Sequence, residues 1–310
     1  MTAAVTAFAP ASIGNVAVGF DVLGQAIAGV GDRCTARLTS AKGVTIKAVQ
    51  GLPCAVPVTA EKNTAGAAAI SLLEAADADF GAELIIHKGI PLGSGMGGSA
   101  ASAVAAVVAV NALLDEPLSQ ECLLAYALAG EALASGAVPH ADNVAPSLLG
   151  GLTLVQGWSD QHVVSLPVPS GLRSVLVHPA LVLPTSAARE GLHATVPMSE
   201  AVEQLGALAG FVAGCYRDDP ALIRRSLIDV IVEPQRAHMV PGFRDVQKAA
   251  LDAGALGCSL SGSGPSMFAW TADADGDHVA AAMQAAFAAH GLASDCWLSP
   301  LDAPGAHVER

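Results

Sequence analysis

Aromatic side chains are scarce, 4% of 310 residues, so the interior has to be built from Ala, Val, Leu and Ile with close helix contacts. Positive charge is scarce too: 15 Lys and Arg stand against 28 Asp and Glu, a net charge of −13. Nucleic-acid backbones need a basic surface, so nucleic acid is excluded as a partner. A nucleotide is not excluded, because backbone N–H groups and one or two cations can form a phosphate site within an acidic protein. There is no CxxC pair and no Cys/His cluster at zinc spacing. The six cysteines (Cys34, Cys54, Cys122, Cys215, Cys258, Cys296) are scattered and read as buried small hydrophobes in a reducing cytoplasm. No apolar run reaches the ~20 residues of a membrane span; the longest, Ala100 to Leu114, is interrupted by Ser102 and Asn111. The amino terminus lacks a basic stretch and meets Pro10 early, unlike a signal peptide. These absences leave a soluble cytoplasmic protein, and its length suits one large domain or two ordinary ones.

Glycine is present where it matters. Pro91–Ser102, PLGSGMGGSAAS, holds four glycines and three serines, then runs into an alanine-rich segment ending near Leu114. Glycine admits positive φ and lets a ligand approach the peptide plane. A helix starting after such a loop offers free N–H groups and a positive dipole end, which together favour an anion such as phosphate. Read alone, the loop fits a small-residue turn capping a buried helix equally well.

Along the chain, residues 2–8 predict a first strand and 9–15 a loop. Val16–Leu23 predicts a second strand carrying Asp21, and the segments Thr35–Leu38 and Val44–Val49 a hairpin. Asn63 is placed to cap a helix to about Ala76, and Leu84–His87 reads as a strand into the glycine loop. The alanine-rich segment is a helix stopped at Pro117. Leu118 to about Leu133 is a helix carrying Glu131. Asp142 or Asn143 caps a short helix ending at Gly150-Gly151, and Leu152–Gln156 is a strand. Turn residues at 157–161 and 167–171 put a domain boundary near 165, giving domains 1–165 and 166–310. Beyond it come a strand at Ser174–His178, a loop or helix start at Thr185–Gly191, and helices near 200–215, 219–231 and 242–253. A second glycine-rich stretch at Gly257–Pro265 precedes a strand at Met267–Trp270, a helix at 275–290 and a strand at Ser294–Leu298. The mixture lacks strict βα alternation and points to an α+β fold.

The glycine loop departs from two familiar phosphate binders. Gly93 and Gly98 have Walker A spacing, but Ser99 stands where the lysine belongs. Gly93–Gly98 also matches GxGxxG, yet it is not at a first strand–helix turn, and no acidic residue ~20 positions on can hold a ribose. Three stretches together resemble the galactokinase, homoserine kinase, mevalonate kinase and phosphomevalonate kinase (GHMP) superfamily: Pro10 to Asp21 (PASIGNVAVGFD), the Pro91 loop, and Ser261–Pro265 (SGSGP). Within it, the match is nearest the homoserine kinases, through GFDVLG at 19–24, His140-Ala-Asp142-Asn143, Glu233-Pro-Gln-Arg236, Pro241-Gly-Phe243 and the tail from Leu301 to Ala306. Met96 replaces the usual Leu, and Gly98 replaces the first of two paired serines, which removes one hydroxyl.

The resemblance implies a two-domain GHMP kinase fold. Its N-terminal α/β domain is like ribosomal protein S5 domain 2, and its C-terminal domain is a ferredoxin-like α/β sandwich. It implies ATP-dependent phosphorylation of the L-homoserine hydroxyl, with Mg²⁺. The rivals are a related kinase acting on another alcohol and a non-catalytic ligand-binding protein on the same scaffold. By resemblance, Asn63, Pro91, Leu92, Gly93, Ser94, Gly95, Met96, Gly97, Gly98, Ser99, Ala100 and Ala101 bind ATP, and Ser99 and Glu131 hold the metal. Asp21, His140, Arg189 and Arg236 bind homoserine, arginine suiting its carboxylate. Asn15, Asn143 and Thr185 serve catalysis. Each has a plainer alternative: a solvated helix face for Glu131, a helix cap for Asn63, a salt bridge to Glu190 or another surface acid for Arg189, and a satisfied loop histidine for His140. Lys88, just before the loop, can balance phosphate charge, but an exposed lysine is the default reading. Some relatives use an aspartate base where Asn143 stands. An amide is no base at neutral pH, so no side-chain base and no carboxylate limb in the pH–rate profile are expected. The family allows a homodimer, whose interface no apolar stripe marks.

Overall fold

The computed structural model describes residues 4–53, 55–135, 139–156 and 162–309. One sheet is built from β1 (Ala4–Gly14), β2 (Leu23–Thr39), β3 (Gly43–Gly51), β4 (Gly81–Lys88), β5 (Leu152–Gln156) and β6 (His162–Leu166). Helices α1 (Thr64–Ala75), α2 (Gly98–Asn111), α3 (Leu123–Ser135) and α4 (Ala141–Leu149) pack with it. The central one is α2, which touches β1 and β2 as well as α1, α3 and α4. It is buried from Ala100 to Asn111. A helix apolar on every side has to be buried, and Ala and Val let its neighbours come close in a protein with few aromatics.

The chain crosses to a second sheet between Leu166 and Leu172. That sheet runs β10 (Ser294–Pro300), β7 (Leu172–Pro179), β9 (Met267–Ala272), β8 (Gly257–Leu260), all antiparallel. With it come α5 (Thr185–Glu190), α6 (Met198–Arg217), α7 (Pro220–Ser226), α8 (Glu233–Arg236), α9 (Phe243–Asp252) and α10 (Gly276–Ala289). The tail strand β11 (His307–Val308) returns to pair with β1. The halves are joined across β2: the Trp270 indole N–H donates to Gln25 Oε1 at 2.8 Å, and Ser299 Oγ accepts from the Ala28 N–H at 2.9 Å. The whole is the α+β arrangement expected of a GHMP-type chain.

Several local expectations are corrected. Val16–Leu23 is no strand: Asn15, Val16, Ala17 and Asp21 all take positive φ, and 16–22 runs as turns. Its apolar residues mislead because Val16, Ala17 and Val18 are buried under a turn, not alternating across a sheet. β2 and β3 do not form a hairpin. β4 lies between them, antiparallel to β2 and parallel to β3, which puts apolar Leu84 and Ile86 at the centre and leaves half-exposed β3 at the edge. The helix from 118 starts later, at Leu123, and that from 219 ends at Ser226. There the Asp229 carboxylate accepts from the N–H groups of Ile231, Val232 and Glu233, an Asx-type turn that stops one helix and starts α8. Among the cysteines, Cys122 is exposed, Cys34, Cys215 and Cys258 are buried, and Cys54 lies outside the described residues. Burial pushes the Cys34 and Cys215 thiols up to about 12, which keeps them protonated and inert.

The Asn63 cap is present: its Oδ1 accepts from the N–H groups of Ala65 (3.0 Å) and Gly66 (3.3 Å). Asn63→Ala is expected to cost about 1 kcal/mol, read from the urea midpoint; an unchanged midpoint would discount the cap.

Candidate functional site

Three sequence stretches meet at one cleft. The Met96 carbonyl accepts from the Ser12 N–H (3.1 Å) and the Ser94 carbonyl from the Ser266 N–H (3.1 Å). Ser261 Oγ donates to the Gly95 carbonyl (2.7 Å), and the Gly262 N–H donates to the Gly14 carbonyl (3.0 Å). Close approach explains two glycines. At Gly95 (φ +74°) a Cβ would lie 2.4 Å from the Ser261 carbonyl oxygen, and at Gly97 (φ +66°) it would lie 2.1 Å from Ser12 Oγ. The cleft, open to solvent, is lined by Asn15, Asp21, Pro91 through Ser99, Glu131, His140, Asp142, Asn143, Arg189, Arg236, Gly262 and Ser263.

Most of the sequence-derived site residues therefore lie in one place, including Pro91, Leu92, Gly93, Ser94, Gly95, Met96, Gly97, Gly98 and Ser99. Ala100 and Ala101 sit behind them, fully buried in α2. Asn63 does not line the cleft; it caps α1, whose Thr64 hydroxyl donates to the Ser99 carbonyl at 3.4 Å. Thr185 begins α5, and its side chain lies outside the described residues.

Loop and helix meet as an anion site requires. Gly97 is the N-cap of α2 in left-handed conformation, and the first N–H groups of the fourteen-residue helix have no intrahelical partner. Lys88 is not the exposed lysine the sequence suggested. It is 3% exposed. Its ammonium donates to Asp32 Oδ2, to the Gly98 carbonyl at 2.8 Å and to Ser102 Oγ at 2.7 Å. The lysine thus sits under the first turn of α2. At Gly98 a Cβ would sit 3.2 Å from Ile90 Cγ2 and 3.8 Å from Lys88 Nζ, a tight fit to one side-chain methyl and ordinary contact with the ammonium.

Glu131 is 1% exposed, which rules out the solvated helix face. Its Oε1 meets His140 Nδ1 at 3.1 Å, while its Oε2 is buried with no hydrogen-bond partner among the described residues. Burial opposes charge on His140, but the bond to Glu131 and the charges of Asp142 and Glu131 raise its pKa above the ordinary imidazole value.

Opposite the loop lies a cluster of charges. Arg189 Nη2 contacts both Asp21 oxygens, at 2.8 and 2.9 Å. The plainer alternative of a salt bridge is thus realised with Asp21, a residue of the same cleft, and not with Glu190. Arg236 is 3% exposed. It donates through Nε to the Ala188 carbonyl (3.2 Å) and through Nη1 to the Gly262 carbonyl (3.3 Å). Burial, then repulsion from Arg189, lowers its pKa.

Asp142 was missed as a site residue, although it stands inside the quoted His140–Asn143 motif. It does not cap α4, which starts at Ala141 with His140 as N-cap. Its Oδ2 accepts from the Asn15 N–H (3.2 Å) and its Oδ1 from Asn143 Nδ2 (3.3 Å). Asn143 Oδ1 accepts from Ser12 Oγ (2.9 Å). Asn15 is pinned by the Asp21 N–H on its Oδ1 (3.0 Å) and by donation to the Gly262 carbonyl (2.9 Å). The two amides hold fixed orientations, each keeping hydrogen-bonding capacity for a ligand. Burial, with Asp21 nearby, raises Asp142 to about 6.

The GHMP kinases N terminal domain family matches residues 63–151, and the GHMP kinases C terminal family matches 211–289. The chain is 50% identical to the homoserine kinase of Xanthomonas campestris pv. campestris (strain B100), over 97% of this chain and 93% of that one. It belongs to the homoserine kinase family of the GHMP kinases. The homoserine kinase of Chlorobaculum tepidum is 41% identical, over 98% of both chains. A crystal structure of homoserine kinase from Cytophaga hutchinsonii ATCC 33406 superposes on this GHMP kinase with a TM-score of 0.96 at 45% identity, covering 100% of this chain and 98% of that one. Mevalonate kinase of L. major, at 15% identity and a TM-score of 0.67, shares the fold. Among the described residues no helix is long and apolar enough to cross a membrane.

Proposed function

We propose that the protein transfers the γ-phosphoryl group of ATP to the hydroxyl of L-homoserine. The observation that carries this is the cleft itself, which sets a glycine loop at a helix N-terminus against a carboxylate and two guanidinium groups. The loop suits phosphates, and the charges suit an amino acid: Arg189 and Arg236 its carboxylate, Asp21 its ammonium, with His140 beside them. A zwitterion matches both ends of the Asp21–Arg189 pair, which neither a sugar nor mevalonate does.

Glu131 and Ser99 suit Mg²⁺. A carboxylate oxygen buried without a partner among the described residues is a costly arrangement that a cation relieves, and one carboxylate with a hydroxyl, phosphates and waters is an ordinary magnesium environment. When bound, the ion neutralises charge on the phosphate oxygens. The residues of the chain do the rest. The amides of Asn15 and Asn143 aim the homoserine hydroxyl, and the helix dipole and loop N–H groups stabilise the transferring phosphoryl group. The homoserine oxygen bonds to phosphorus as the bond to the ADP oxygen breaks. The hydroxyl proton passes to a phosphoryl oxygen late in a loose transition state.

ADP release with Mg-ATP, compared across homoserine, mevalonate, galactose and shikimate, tests the reading. Turnover with homoserine is expected; none with any acceptor would overturn both kinase readings and favour a binding protein. A cytoplasmic site of action, without membrane or nucleic acid, goes with this reading and is supported by the scattered free thiols and the acidic charge.

Asp142 favours a second reading of the proton's path, because a carboxylate near pH 6 in the cleft is matched to general-base work. Its presence also revises the expectation of a profile without a carboxylate limb. Asp142 is ionised above about pH 6, so kcat is expected to fall as pH drops below that value. If Asp142 orients the two amides, Asp142→Asn abolishes the limb and keeps about a tenth or more of kcat. A loss of ~10²-fold or more makes it the base.

A further inference from the structure

Phe20 stands in the GFD motif, yet no part of the proposed chemistry uses it. The guanidinium carbon of Arg189 lies over its ring, 5.6 Å from the centroid, and that of Arg236 lies over the same ring at 5.3 Å. Both distances are within the range in which a ring quadrupole attracts a cation. Two guanidinium groups sharing one partner repel each other, and Asp21 bonds only Arg189 among the contacts described. The ring attracts both.

We propose that Phe20 is the positioning residue that holds Arg189 and Arg236 together as a paired binder for the acceptor's carboxylate, so that it sets specificity for carboxylate-bearing alcohols. This rests on the homoserine reading of the cleft. The turn at 15–21 then has two products: Asp21 for the ammonium, and, one residue earlier, a platform for the groups that take the carboxylate. The left-handed residues of that turn set Asp21 in the cleft and Phe20 against the two arginines that line it.

Steady-state kinetics of Phe20→Leu and Phe20→Tyr test the assignment. Leu keeps an apolar side chain and removes the ring; Tyr keeps the ring. Phe20→Leu is expected to raise the homoserine KM about tenfold, leaving the ATP KM within about twofold and kcat within about threefold. Phe20→Tyr is expected to return the homoserine KM to within about threefold of wild type. If the leucine variant does not fold, fluorinated phenylalanines at position 20 replace it. They keep the shape and weaken the quadrupole, so the homoserine KM should climb with fluorine count. An unchanged homoserine KM in the leucine or fluorinated proteins overturns the proposal, as does a parallel rise in the ATP KM. Absence of homoserine turnover in the wild-type enzyme is a different result and overturns the functional reading instead.

Discussion

Glu131→Gln is expected to leave a folded protein whose turnover falls by ~10³-fold, the scale of losing one fixed electrostatic group at a phosphoryl-transfer centre. Glutamine has nearly the same shape and can still bond His140, so packing is preserved while charge is lost. The buried Oε2 has no partner among the described residues, so the charge is a burden on stability that a bound cation relieves. The variant should therefore melt at or above the wild-type temperature. It should also need more Mg²⁺ for half-maximal activity, and chelation should abolish what remains in both proteins. If Glu131 serves only to anchor His140, glutamine will retain most of the activity and the magnesium requirement will not move. That outcome would remove Ser99 and Glu131 from the metal site.

The sequence made much of this site legible, and the reasons are local. The glycine loop, the PASIGN stretch and SGSGP are each short, but each carries residues whose small size is needed where the stretches touch. Gly95 against Ser261 and Gly97 against Ser12 are such contacts. Residue identity thus recorded tertiary proximity. The same logic failed where burial was achieved without periodicity. Val16–Leu23 has the apolar content of a strand, but the chain buries it in a left-handed turn, and neither strand nor helix period detects that. β3 pairs with β4 instead of β2, because strand order depends on which strand most needs the sheet centre, and adjacency in sequence does not encode this.

Polar residues were harder to read, because sequence gives their type and not their partners. Asp142 was passed over as a helix cap, since Asp before an apolar run is the ordinary N-terminal signal. In the structure its two oxygens instead hold the Asn15 backbone and the Asn143 amide. Its neighbour Asn143 looks in sequence like a base replaced by an amide; the carboxylate is one residue away, buried, and bonded to both amide-bearing residues. For Glu131 the sequence leaves a solvated helix face open, and burial excludes it. Its lone buried oxygen could be seen only once the chain was folded. Phe20 went unassigned because a phenylalanine in a motif reads as packing, and its two arginine partners are more than 160 residues away in sequence.

Lys88→Met should be the most damaging single change to stability. Lysine beside a phosphate loop invites comparison with a Walker lysine, but this one points into the protein. Asp32 accepts from it and from Ser102 Oγ (2.6 Å) on one oxygen, and from the N–H groups of Gly89 (2.9 Å) and Ile90 (3.1 Å) on the other. Removing the ammonium leaves a fully buried carboxylate without its cation, and it leaves the Gly98 carbonyl without that donor. Breaking a buried pair from one side typically costs about 3–5 kcal/mol, which corresponds to a fall of about 10 °C in melting temperature for a chain of this size. The pair as a whole need not be stabilising, because replacing both members by neutral groups is often nearly neutral. The double variant Asp32→Asn/Lys88→Met should therefore melt closer to wild type than Lys88→Met alone, and the double-mutant cycle should show strong coupling. Since Gly98 and Ser102 belong to the first turns of α2, the single variant that remains folded should also bind ATP more weakly, through displacement of the loop and not through a lost phosphate contact. Equal melting of wild type and Lys88→Met would mean the buried network carries no stability. An unchanged ATP KM in a destabilised variant would separate the network from the loop above it.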